Sequence, residues 1–293
     1  MEYLFLVLAI LLYFPLISAD KLGSTGTEEK AMLFKYSFFR SIIGIIVGGI
    51  ALLINGSSFY VDLYTILTAL MFGIMLALCM LVTFYSMQVT TVAISNVFKA
   101  ASVIIPCVFG AMFFNESITL LNVVGFILFL VSVFLIVSKE KEASKKFGMK
   151  AFFACLGVLL TNGLGSISIQ LFGQCVSGGD EAMFMFISYC IQALILFVIY
   201  IAYSAKGEKG QTKISGNMVI YGIIGTVATF LIQQIIAVLS SKVPSATIFP
   251  VTMGSSVSIS VLVGLFFFKE KTSFKSILGI IGVIISLVMI NMF

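Results

Sequence analysis

Two cations, Lys99 and Arg40, lie about ten residues inside long apolar runs. Ten residues of helix rise ~15 Å, so a lysine stem cannot reach either interface and the charge must face water or the protein interior. A cation held there can receive a carboxylate or phosphate through a charge-assisted hydrogen bond. It can also serve structure, Lys99 by bonding backbone carbonyls near a kink at Pro106, Arg40 by clamping two helices. For Lys99 the substrate role is favoured. The segment SNVFKAASVIIP puts Asn96, Lys99 and Val103 on one helical face, at spacings of three and four. For Arg40 the two roles stay level, with Lys35 taking the interfacial position on the same run.

Other polar residues share that depth: Tyr13, Tyr85, Asn162, Tyr189, Gln192, Gln233, Gln234 and Thr252. Singly, each reads as an interhelical hydrogen bond; together they are what a wet central cavity needs. Absences narrow the chemistry. The chain has no histidine, and its 12 carboxylates fall in loops or at the ends of apolar runs. A mid-membrane carboxylate relay, a histidine metal centre, a Ser-His triad and a Gly-rich phosphate loop are all unsupported. The expectation is a protein that binds and moves a small molecule: not an enzyme, with no catalytic residue, no cofactor and no metal site. The five cysteines (Cys79, Cys107, Cys155, Cys175 and Cys190) have no paired spacing and read as small core residues.

The elements that position these groups follow from composition. The 293 residues are 60% apolar and 10% charged, far from the balance of a soluble domain. Ten apolar stretches of spanning length follow one another, at about 3–19, 31–54, 64–86, 90–114, 118–138, 149–173, 182–204, 217–240, 244–268 and 273–292. Helices are expected, because lipid offers no partner to an unpaired amide. Short connections lead us to expect consecutive helices as antiparallel neighbours. The first run lacks a basic leader and reads as a span, not a cleaved signal peptide. The net charge of +5 comes from lysines between apolar runs, so the partner is the lipid bilayer and not nucleic acid. No obligate protein partner is evident.

One phrase occurs twice. FFNESITLLNVVG (113–125) and FFKEKTSFKSILG (267–279) share the frame Phe-Phe-x-Glu, eight residues, Gly. Residues 89–136 align without a gap on 243–290, with 14 of 48 positions identical against roughly four expected by chance. The chain thus divides into a first five-helix repeat (1–140), a basic linker (141–148) and a second repeat (149–293). An odd number of crossings inverts the second copy. Lysine counts agree: connections 1–2, 5–6, 7–8 and 9–10 hold nearly all loop cations, and connection 8–9 holds only Lys242. Basic loops stay cytoplasmic, which puts both termini outside. Inversion explains why Glu270 sits among Lys269, Lys271 and Lys275 while Glu116 has no lysine nearby. Each glutamate is expected to cap the helix that follows it, with substrate contact the lesser alternative.

Ten helices in two inverted repeats, with a glutamate closing the fourth helix of each, resemble the drug/metabolite transporter superfamily, and its EamA-like branch most. The family usually has Gly before that glutamate, where this chain has Asn115 and Lys269, and a proline midway along the preceding helix, here Pro106 but Ser260 in the second copy. Arg40 is similar to an arginine often found in the second helix, and Lys99 to the lysine that sugar-phosphate and nucleotide-sugar branches set against an anionic substrate. The resemblance implies an all-α membrane protein in a bacterial cytoplasmic membrane. It would carry a small polar metabolite, bearing a carboxylate or phosphate, by alternating access through a central cavity. Two alternatives stay open: an exporter of amphipathic amino acids, drugs or organic cations, and an integral-membrane enzyme or lipid-handling scaffold.

Overall fold

The computed structural model describes residues 2–24, 27, 30–56, 61–90, 92–116, 119–137, 148–175, 180–205, 214–266 and 274–291. They form helices α1 (Glu2–Ser24), α2 (Lys30–Asn55), α3 (Leu63–Val89), α4 (Val92–Ala101), α5 (Ile104–Phe113) and α6 (Leu120–Val137). These are followed by α7 (Met149–Cys175), α8 (Glu181–Ser204), α9 (Gly216–Ser240), α10 (Ser245–Phe266) and α11 (Phe274–Asn291). No strand occurs among the described residues. Six helices, α1, α2, α3, α7, α8 and α9, are long and apolar enough to cross a bilayer. Their 23 to 27 residues rise ~35–40 Å. The outward faces carry Ile46, Leu67, Phe153, Leu194 and Ile223, all exposed. So much contiguous apolar surface suits lipid and not water, as in an integral membrane protein. Glu270 and most of the basic linker lie outside the described residues.

Three helix starts are built by short side chains typical of caps. Asp62 accepts from the Tyr64 amide, Asp180 from Ala182 and Met183, and Ser215 from Met218.

The run 90–114, expected as one helix, is two. Pro106 lacks an amide hydrogen, and its ring crowds the carbonyl four residues back, at Ser102. The chain tightens there: Ser102 N bonds Lys99 O, Val103 N bonds Ala100 O and Ile105 N bonds Ser102 O, each spanning three residues instead of four. α5 then ends on Asn115 at φ 52°, the left-handed position that follows a helix C-terminus. Asn tolerates that conformation better than most residues.

The most extensive packing joins elements far apart in sequence: α6 with α11, α3 with α7, α2 with α8 and α1 with α9. Consecutive helices also touch, as α10 and α11 or α8 and α9 do, but this is the lesser part of the packing. Where two helices come closest, a glycine lets them. A Cβ on Gly44 of α2 would collide with the Tyr189 ring of α8, and one on Gly73 of α3 would lie 2.6 Å from the Ser188 carbonyl oxygen of α8. Gly282 of α11 meets Ser132 of α6 in the same way. Small residues at crossing points are how helices gain contact in lipid, where no hydrophobic force separates apolar faces from solvent. At the centre Phe172 stacks on Phe184 at 4.3 Å, and Phe184 on Phe72 at 5.4 Å, tying α7, α8 and α3 together.

Candidate functional site

A central cavity, partly open to solvent, lies between α1, α2, α3, α4, α7, α8 and α9. Its polar wall holds Asp20, Arg40, Thr83, Lys99, Asn162, Tyr189, Gln192, Thr226 and Gln233. Leu76, Cys79, Met80 and Phe84 supply the apolar side.

Asp20 is the residue that sequence reasoning missed. The first apolar run ends at Ala19, so the carboxylate counted as lying at a span end, but α1 continues to Ser24 and carries Asp20 inside. Arg40 Nη1 donates to Asp20 Oδ1 at 2.6 Å. Arg40 Nε donates to Thr226 Oγ1 at 3.1 Å, and the guanidinium lies 5.6 Å from the Phe84 ring centroid. Gly225 makes the pair possible, since a Cβ there would lie 2.9 Å from Arg40 Nη2 and 3.2 Å from Asp20 Oδ1. Arg40, 3% exposed, therefore joins α1, α2 and α9 with its charge balanced by Asp20. The signal that could have found this pair was the absence of glycine and proline between Ala19 and Leu22.

Lys99 is different. Its ammonium has neither a carboxylate nor a hydrogen-bond partner among the described residues. It stands in the last turn of α4, at the negative end of that helix's dipole, which favours a cation. Asn162 of α7 braces that break, donating to Ser102 Oγ at 2.7 Å and to the Lys99 carbonyl at 3.5 Å. Lys99 also borders a second, smaller cavity with Tyr13, Asp20, Asn96 and Ser256. Lys99 and Asp20 are thus shared by both chambers.

The remaining sequence candidates separate. Tyr189, Gln192 and Gln233 meet Lys99, Arg40 and Asn162 in the central cavity, while Asn96 and Tyr13 face the second chamber. Thr252 is fully buried, donates to the Ile248 carbonyl at 2.8 Å and lies within hydrogen-bonding reach of Tyr13. Gln234 is turned away from the main cavities with its amide oxygen buried. Tyr85 is 38% exposed on the outer face of α3 and lines neither of these cavities.

Glu116 caps a helix, but not the expected one. α6 begins instead with Asn122 Oδ1 accepting from the Thr119 amide at 2.7 Å and from its hydroxyl. Glu116 Oε1 accepts from the Ser245 amide at 3.2 Å, and the Ser245 hydroxyl donates to Glu116 Oε2. Gln170 Nε2 reaches the same group, 2.7 Å from Ser245 Oγ. Glu116 therefore caps α10, 129 residues away, placing its charge at the positive end of a helix from the other half of the chain. Gly110 leaves the room for it, because a Cβ there would lie 2.7 Å from both Gln170 Nε2 and Glu116 Oε2.

No family profile matches this chain. No curated protein matches its sequence either. Among solved structures, a crystal structure described only as that of a protein superposes with a TM-score of 0.75 at 13% identity, covering 99% of this chain and 97% of the other. At that identity the likeness speaks for a shared fold over the whole length and for nothing further.

Proposed function

We propose that the chain is a secondary transporter or facilitator, an EamA-like member of the drug/metabolite transporter superfamily, and not an enzyme. It moves a small polar metabolite bearing a carboxylate or phosphate by alternating access. The observation that carries the reading is Lys99, an unpaired ammonium on a cavity whose other cation is already matched by Asp20. A ligand anion is the partner such a group lacks.

The helix pairing supports two inverted five-helix repeats. Counting α4 and α5 as one crossing gives ten. Exchanging α1 with α7, α2 with α8, α3 with α9, α4–α5 with α10 and α6 with α11 maps the packing onto itself. Contact α3–α7 becomes α9–α1, α3–α8 becomes α9–α2, and α1–α10 becomes α7–α4, while α2–α8, α6–α11 and α4–α10 are unchanged. Such self-mapping is expected of a pseudo-two-fold axis in the membrane plane. Depth supports alternating access as well. Arg40 and Thr226 each lie ~15 Å from the start of their helices, and Glu116, Ser245 and Gln170 gather near the opposite helix ends. One end of the bundle is bolted and the cavity lies toward the other. The lysine asymmetry of the connections argues for termini outside a bacterial cytoplasmic membrane.

The test begins with a thermal-shift screen of carboxylates and phosphates on purified protein. Lys99→Met, which copies Met253 at the equivalent position of the second repeat, should fold normally and lose about ten- to a hundred-fold in affinity for any anion found. Lys99→Arg should keep part of it. Wild-type affinity in Lys99→Met overturns the anion site. Orientation is read separately: a cysteine at Ser144 should resist an impermeant reagent in intact cells while one beside Asp62 reacts.

A second reading, export of amphipathic amino acids, drugs or organic cations, draws on Asp20 and on the Phe84, Met80 and Tyr189 side of the cavity. Transport that ignores both the substrate's negative charge and Lys99 would move it ahead.

A further inference from the structure

Gln192 is 1% exposed, lines the central cavity, and its Oε1 is buried with no hydrogen-bond partner among the described residues. The other end of the same amide is weakly engaged: Nε2 lies 3.9 Å from Met80 Sδ. A thioether sulfur accepts weakly and donates nothing, so it fixes the nitrogen toward Met80 and the oxygen away from it. Gln170 and Gln234 also have an unpartnered amide oxygen among the described residues, but neither lines the central cavity or the second chamber. A buried carbonyl oxygen left unmet is costly, and on a cavity wall the group that can meet it is a ligand's donor. Asp20 adds an acceptor on the same cavity, since Arg40 occupies Oδ1 and no described residue bonds Oδ2.

We propose that Gln192 is a specificity-determining residue, and that the ligand carries, besides its anionic group, a hydroxyl or protonated amine that donates to Gln192 Oε1. The inference rests on the anion reading of Lys99 and narrows it. A simple acid satisfies Lys99 and strands Gln192. An acid with a donor beside its charge satisfies both, and Leu76, Met80 and Phe84 receive its carbon chain.

Matched probes test this on the purified full-length protein by isothermal titration. One series is 4-methylpentanoate, 2-hydroxy-4-methylpentanoate and leucine, which share a skeleton and differ only at C2. The second is n-propyl phosphate against glycerol 3-phosphate. In at least one series the donor-bearing member should bind about ten-fold tighter than the unsubstituted one. The hydroxyl and amine arms then identify the donor. Gln192→Leu keeps the volume and removes the acceptor, so it should bring the ratio of affinities between the donor-bearing and unsubstituted probes close to one. Gln192→Met, which also lacks the carbonyl acceptor, should abolish the preference in the same way and serves if Gln192→Leu does not fold. Equal binding of all members in a Lys99-dependent manner overturns the inference and leaves the anion site standing. A preference that survives Gln192→Leu overturns the role of Gln192. If no probe binds in a way that depends on Lys99, the anion reading falls and this inference with it.

Discussion

Arg40 Nη1 stands 2.6 Å from Asp20 Oδ1, and this pair divides the two deep cations of the chain into a balanced one and an available one. Breaking a buried pair leaves an uncompensated charge, which costs more than the pair contributes. Asp20→Ala should therefore destabilise by roughly 3–5 kcal/mol, and Arg40→Met by a similar amount. The double variant Asp20→Ala, Arg40→Met should lose less than the sum of the two. Melting midpoints of the four proteins in one detergent check this. Additive losses would mean that the pair is not coupled.

Capping across the halves makes a second prediction. Glu116→Gln keeps the shape of the group around Ser245 but removes the charge facing the α10 N-terminus, and should cost about 1–3 kcal/mol. Ser245→Ala should cost a similar amount, and the double variant should cost less than the sum, because both act on one hydrogen-bonded group. A double-mutant cycle on melting midpoints reads the coupling. Zero coupling would disconnect Glu116 from α10.

Two glycines of α2 behave as a matched pair. A Cβ on Gly44 would strike the Tyr189 ring, whereas one on Gly49 would find its nearest neighbour, Phe186 Cε2, at 3.8 Å. Gly44→Ala should lose roughly 1–3 kcal/mol through overpacking and push Tyr189 out of the cavity wall. Gly49→Ala should be neutral or slightly stabilising, since alanine is the better helix former by about 1 kcal/mol. Melting midpoints separate the two. Equal losses would mean that backbone context, not the Tyr189 contact, governs both sites.

Much of the site was legible as a list and not as an arrangement. Lys99, Arg40, Asn162, Tyr189, Gln192 and Gln233 stood out because a polar group deep in an apolar run has few reasons to be there, and the fold gathers these six on one cavity. Tyr85 met the same criterion yet faces outward, because depth along a helix says nothing about its azimuth. Asp20 went unnoticed because a helix end is among the least certain features of a sequence reading.

By itself the sequence determined the helical, membrane-embedded character of the chain, since 60% apolar residues in runs of spanning length have no other way to satisfy their amides in lipid. It also determined the repeated phrase around Glu116 and the turn at Pro106, which are local facts of spelling and backbone sterics. Only the tertiary structure decided that Arg40 is neutralised and Lys99 is not, that Glu116 caps α10 instead of α6, and that Gln192 has an oxygen to spare. Each of these is a relation between residues 20 to 129 positions apart, or between a residue and empty space. A linear pattern reports the period of a helix; which face meets which partner is fixed only when the helices pack.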